Sequence, residues 1–279
     1  MTYLSYIIIA IYDLRDGLLL KFDMHCHTRY GSIDAKVRIS EYVEMLSAKG
    51  YDGMLVTDHD SYRGYNRWKV ENPDSTFRVI RGIEYDTRDA GHFIVIMPDG
   101  VHLKALTMRG MKVEKLVHLV HQLGGIIGPA HPFGTKSSSA MLFKALKRNR
   151  NIIKEFDFIE GFNACETETA NDLSQLLAKD FDKPMLGGSD SHDYKYVGMG
   201  YTLFSDDITC CDDLIAAVHR ASEYNNTISC GGVVRGETLK SKHAHAFYSV
   251  YAFLAYNFSL GIIYSPLRTH RVKKALEHK

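Results

Sequence analysis

Cysteine is scarce in this 279-residue chain: five residues, at 26, 165, 210, 211 and 230, with no C-x-x-C pair and an odd total. That pattern argues against a disulfide framework and for a reducing cytoplasm. Excess charge of either sign is also missing. The formal net charge is +1, so no global field draws the protein to nucleic acid or a membrane. The apolar stretch "YLSYIIIAIY" lacks a basic leader and a small-residue cleavage site, so no signal peptide is expected. "HAFYSVYAFLAYNFSLGIIY" has the length of a membrane span, but its His, Asn, Ser and four Tyr favour a buried or partner-facing helix. Internal repeats, low-complexity tracts and linkers rich in Pro, Gly or Ser are absent. No G-x-S-x-G, Walker or G-x-G-x-x-G pattern offers a nucleophilic serine or a phosphate loop.

What is there is an alternation of short apolar strands and amphipathic helical segments. With 45% hydrophobic and 24% charged residues, the composition is that of a soluble globular protein with a substantial core. "KFDMHC" reads as a strand, "RISEYVEMLSAKG" as a helix closed by Gly50, and "DGMLVTDHD" as a strand ending in polar residues. "FRVIRGIEY" and "GHFIVIMPDG" are strands separated only by "DTRDA". Then come the helix "MKVEKLVHLVHQLGG", the strand "GIIGPAHPFG", the strand "EFDFIEGFNA", the helix "ETANDLSQLLAKD" and the strand-to-loop unit "KPMLGGSDSHD". This order implies an α/β fold with a mainly parallel sheet or barrel. Past about residue 205 the pattern weakens.

Most of these strands finish in residues of one chemical kind. The first delivers His25 and His27, which alternate around Cys26 and therefore share a face. Taken alone, the pair reads equally as two surface histidines on a half-exposed strand. The later strands add Asp58, His59 and Asp60, then Glu84, then His131, then Asp190 and His192. In parallel α/β architectures the strand C-termini build the site. The link after Glu84 is too short for a helical crossover, so an antiparallel hairpin is expected, which would bring His92 to the same rim. Imidazoles mixed with carboxylates suit Zn²⁺, Mn²⁺ or Fe²⁺, and so many donors suit two or three ions. Such a cluster clamps a phosphoryl group and makes hydroxide from water near neutral pH.

"DMHCHTRY", "TDHD", "GIEY", "AHPFG" and "GGSDSH", in this order, resemble the successive motifs of the PHP superfamily (polymerase and histidinol phosphatase). The stand-alone phosphoesterases of that superfamily also carry "IE-x-x-N", here Ile159–Asn163, and "VG…T-x-F" after the last motif. The resemblance covers roughly residues 22–205. It implies a distorted (β/α)7 TIM-like barrel with a small C-terminal extension, residues 1–21 being an N-terminal hairpin extension and 206–279 a helical one. It further implies that His25, His27, Glu84 and Asp190 hold one metal and that Glu84 bridges to a second held by His92 and His131. His59 and His192 would hold a third, with Asp34, from a "YGSID" loop one residue longer than the common form, as its further ligand.

The function expected is hydrolysis of phosphomonoesters or phosphodiesters of a small molecule or a nucleotide or oligonucleotide end, with a phosphate or sulfate bound at the metal centre. His192, Asp58 and His59 are the candidate catalytic residues, and Arg29, Arg63 and Lys136 the candidate substrate contacts. A histidinol-phosphate-like phosphatase, C–N or C–O hydrolysis and a non-catalytic metal-binding module are the alternatives. The aromatic stretch with Tyr248, Tyr251, Phe253, Tyr256 and Phe258 is read as core rather than a dimer face.

Overall fold

The computed structural model of the protein describes residues 19–134, 139–142, 146, 149–224, 228–235 and 242–277. The sequence-expected N-terminal hairpin, Lys136, and the side chains of the aromatic stretch Tyr248–Phe258 lie outside what is described. The architecture is mixed α/β. Strand β1 (Leu20–Cys26), helix α1 (Ile39–Ala48), β2 (Gly53–Val56), α2 (Arg63–Glu71) and β3 (Arg78–Arg81) come first. Next come β4 (Ile83–Asp86), β5 (His92–Ile96), α3 (Val113–Gln122) and β6 (Ile126–Pro129). After two short 3-10 turns follow β7 (Ile159–Asn163), α4 (Glu168–Asp180), β8 (Met185–Gly188), β9 (Gly200–Phe204), α5 (Cys211–Tyr224), β10 (Ile228–Gly232) and α6 (Lys242–Glu277).

The strands form three sheets, ordered β10-β9-β1-β2-β3, β4-β5-β6 and β7-β8. Within them β1, β2 and β3 run parallel, as do β7 and β8, while β4, β5 and β6 are mutually antiparallel. Isolated bridges, Cys26 to Ser191 and His59 to Glu84, join the strand-end loops of neighbouring sheets. They set the strand ends side by side without one continuous ladder among the described residues. "FRVIRGIEY" divides at Gly82, where a Cβ would stand 2.9 Å from the Leu55 side chain, so one expected strand becomes β3 and β4 in two sheets. The β4–β5 hairpin is antiparallel, with Glu84 opposite Ile94 and Asp86 opposite His92. That pairing brings His92 to the rim occupied by Glu84.

Beyond residue 205 the order continues. β10 pairs with β9 and β9 with β1, while Leu214, Ala217 and Val218 of α5 join Phe22 and Met24 in one apolar cluster. Cys26, on the side of β1 away from the histidines, is buried with Val37, Ile39, Tyr42 and Leu46 beneath α1. α3 buries Val113, Leu116, Val117 and Val120 with Phe93 and Val95 of β5. No helix among the described residues is long and apolar enough to cross a membrane.

β8 runs so close to β1 that only glycine fits at its end. A Cβ on Gly188 would lie 2.3 Å from the His25 amide nitrogen. Gly188→Ala is therefore expected to push the two strands apart at about 1–3 kcal/mol, read as a lowered thermal melting temperature. An unchanged melt would contradict that packing.

Candidate metal centre

The strand ends converge on one buried carboxylate, Glu84 on β4. Oε1 lies 2.8 Å from His92 Nδ1 and 3.0 Å from His131 Nε2. Oε2 lies 2.9 Å from His59 Nδ1, 3.3 Å from His27 Nε2 and 3.6 Å from His25 Nε2. Five imidazoles from three strand ends and a loop thus surround one acid. Asp190 stands opposite, with Oδ1 3.7, 3.3 and 3.5 Å from His25, His27 and His192. At the solvent side His192 Nε2 and His59 Nε2 lie 3.4 and 3.8 Å from Asp34 Oδ2. His25, His27, Asp34, His59, Glu84, His92, His131, Asp190 and His192 are therefore brought together.

Chain strain marks the same rim. Asp60, His131 and Asp190 adopt φ of +46°, +31° and +47°, a region that L side chains rarely occupy. Each is pinned by its own amide: Asp60 N–H donates to Glu84 O, Asp190 N–H to His25 O, and His131 N–H to Glu160 Oε2. The ladder bonds of ordinary strands are exchanged here for bonds that aim side chains inward.

A layer of acids and hydroxyls lies behind the imidazoles. His25 Nδ1 is 2.8 Å from Glu160 Oε1. A carboxylate accepts only, so the proton sits on Nδ1 and the Nε2 lone pair points into the cluster. His27 Nδ1 is 3.0 Å from Ser32 Oγ, whose hydroxyl donates to Asp58 Oδ1 and accepts from His59 N–H. This again leaves the Nε2 lone pair inward. The two Nε2 atoms lie only 3.0 Å apart, and two lone pairs cannot hydrogen-bond each other. A shared cation between them removes the conflict, since two donors roughly 2.1 Å from one ion stand about 3 Å apart.

Glu84 Oε2 gives the same answer: it is buried and has no hydrogen-bond partner despite its three nearby imidazoles. The donor set fits divalent metal ions. Three overlapping groups have all their donor atoms within mutual reach: His25, His27 and Asp190; His59, Glu84 and His92; and His27, His59 and His192.

The electrostatics agree. Burial alone would raise the Glu84 pKa, but His92, His59 and His25 outweigh it and hold the carboxyl well below its usual range. Burial opposes charge on His25, yet Glu160, Asp190 and Glu84 raise its pKa well above normal, so the acids around it call for a positive charge that a bound cation would supply in place of a second ring proton. For His27, burial together with His192 and His59 lowers it well below normal. The pocket is thus built to hold positive charge against a set of anions while keeping an imidazole neutral.

Asp58 faces away from the cluster. Its oxygens accept from Thr28 N–H at 2.6 Å, Thr28 Oγ1 at 2.8 Å and Ser32 Oγ, and burial pushes its pKa up to about 6. Arg29 is exposed, and its charge bears on Glu41 and Tyr194. Arg63, also exposed, opens α2.

Several residues escaped the sequence reading. Asp23, two before His25 on β1, accepts from Ser189 N–H at 2.8 Å, and a register shift between Asp23 and Cys26 interrupts the alternation there. Asp86 Oδ1 meets His92 Nε2, and Arg109 joins Asp86 Oδ2 at 2.5 Å to Asp60 Oδ2 at 2.8 Å. Glu160 lay inside the "IE-x-x-N" stretch without an assigned role. The register shift hides Asp23 from a period-2 reading, and Arg109 had no sequence signal at all.

The family model described as PHP-associated matches residues 168–222. Among solved structures, a two-domain protein of Bacteroides vulgatus containing a predicted PHP-like metal-dependent phosphoesterase superposes with a TM-score of 0.61 at 18% identity, over 79% of this chain and 66% of that one. The chain shares that fold. Endonuclease Q, solved with a 27-mer duplex bearing an abasic lesion at its active site, gives 0.55 at 18% identity, over 73% of this chain and 57% of its own. PsfC from Pseudomonas syringae gives 0.56 at 18%, over 87% and 99%. The chain thus spans less than two thirds of the length of the first two. At such identities the likeness to solved structures is one of fold. No curated protein matches the sequence.

Glu160→Gln keeps the shape but loses the charge that orients His25. We expect metal affinity, read by competition with a chromogenic chelator, to fall about 10- to 100-fold. Unchanged affinity would mean that Glu160 does not position His25.

Proposed function

We propose that the protein is a metal-dependent phosphoesterase acting on a small phosphate ester or a nucleotide end, with its three sheets standing in the order of a distorted (β/α)7 barrel. The observation that carries the reading is Glu84, a buried carboxylate with one unbonded oxygen among five inward-aimed imidazoles. His25, His27, Glu84 and Asp190 are assigned to one divalent ion (Zn²⁺, Mn²⁺ or Fe²⁺), Glu84, His92 and His131 to a second, and His59, His192 and Asp34 to a third. Such ions, when bound, neutralise a phosphoryl group and acidify water.

The chain's own residues supply orientation and proton control. Glu160 holds His25, Ser32 with Asp58 holds His27, and Asp86 holds His92, each fixing a tautomer and a ring plane. The substrate enters where the cluster opens to water. His59 and His192 are each 20% exposed there, and Asp34 is 56% exposed, against 0–3% for His25, His27 and His131. His192 Nδ1–H donates to Asp190 O at 3.1 Å, so Nε2, 3.4 Å from Asp34 Oδ2, would offer its lone pair to the third ion at the solvent side of the cluster. Asp58 acts through Ser32 rather than on the substrate.

A near-neutral chain favours a small or single-ended substrate over a long nucleic-acid track. Endonuclease Q, the neighbour solved with duplex DNA, makes a nucleotide diester a necessary arm of the test.

Purified protein with Mn²⁺ is expected to hydrolyse a chromogenic phosphate monoester or diester, and the arm that turns over defines the bond class. His25→Ala and Asp190→Ala are each expected to cut kcat/KM by about a thousandfold or more with an unchanged melting curve. Either variant at full rate would sink the site, and inactivity on both esters with tightly held metal would point to a non-catalytic module.

A further inference from the structure

Away from the cluster, a second cavity of about 520 Å³ lies between α3 and the C-terminal half of α6. Its charged lining is of one sign: Arg88, Lys112, Lys115 and Arg268, with no carboxylate among the lining residues. Its floor is apolar, made by Met111, Leu119, Val272 and Leu276. None of the metal-site residues contributes to it.

Arg268 is the unusual member. It is only 7% exposed, although it sits on a helix whose neighbours Leu267 and Thr269 face water. Its guanidinium donates to two backbone carbonyls, Arg109 O at 2.5 Å and Gly261 O at 3.5 Å. Among the described residues no carboxylate lies within ion-pair distance of it. A buried cation compensated only by neutral acceptors is costly. Arg88, Lys112 and Lys115 raise that cost, since like charges share one concavity with it. Asp89 is the acid whose charge reaches Arg88 and Lys112, and it spends Oδ1 on the Val113 N–H at the start of α3.

An anion seated in the cavity would resolve this arrangement. Four cations match the charge of a di- or triphosphate, guanidinium and ammonium groups are the usual phosphate donors, and the volume suits a ligand of nucleotide size. The apolar floor gives a base or comparable ring a dry surface. We propose that the α3–α6 cavity is a binding site for a polyphosphorylated small molecule with an apolar moiety, of the nucleoside di- or triphosphate class. The site is separate from the metal cluster and is linked to it through Arg109, whose carbonyl receives Arg268 and whose guanidinium joins Asp60 to Asp86, and through Gly110, whose N–H donates to Asp86 O.

The probe is ADP, titrated calorimetrically into the full chain carrying His25→Ala, so that the metal cluster does not contribute. One-to-one binding is expected. Lys112→Glu/Lys115→Glu, at the exposed N-cap and an exposed first-turn position of α3, should weaken it about tenfold or more with an unchanged melting curve. Pyrophosphate, which has the charge without the ring, should bind more weakly than ADP. Absent binding, or ADP affinity indifferent to the double charge reversal, overturns the site. Pyrophosphate binding as tightly as ADP overturns the assignment of the apolar floor. Ester hydrolysis by the unmutated chain tests the metal centre separately, so failure of one proposal leaves the other standing.

Discussion

A buried, ionised carboxylate is tolerable only where positive charge surrounds it, and Glu84 sets that condition for the whole rim. Its two oxygens collect imidazoles from β1, the loop after β2, β5 and the end of β6. The rest of the architecture serves this convergence. The β4–β5 hairpin returns His92 to the acid that precedes it, Gly188 lets β8 lie against β1 so that Asp190 faces the same space, and the isolated bridges lock the strand ends together.

Around that centre the protein places a second ring of anions. Glu160, Asp58 through Ser32, and Asp86 each meet the outer nitrogen or supporting hydroxyl of an inward-facing histidine. The physical effect is to decide which ring nitrogen carries the proton, and so which lone pair is offered. The strain at Asp60, His131 and Asp190 belongs to the same design: left-handed backbone turns are held by amide bonds to the rim itself. Stability is spent locally to keep donors about 3 Å apart that would otherwise separate.

Much of this was legible in the residues. Alternation on one strand paired His25 with His27, and the short link after Glu84 foretold the hairpin that delivers His92. Strand-end chemistry pointed to His131, Asp190 and His192. What escaped did so for identifiable reasons. α2 has only Gly64 and Trp68 buried among nine residues, so it shows no apolar stripe to read. β9 pairs with β1 across some 180 residues, Leu20 opposite Phe204, and β10 then adds to β9, which no local pattern announces. Glu160, Asp86 and Arg109 gain their roles only from three-dimensional convergence, since isolated acids and arginines on a sequence look like surface charge.

The most direct measurement is anomalous diffraction from crystals grown with Mn²⁺ or Zn²⁺. The account predicts a peak within about 2.0–2.3 Å of His25 Nε2, His27 Nε2 and the Glu84 and Asp190 carboxylates. A metal-loaded crystal without density between those side chains, or with the ion bound elsewhere, would contradict it.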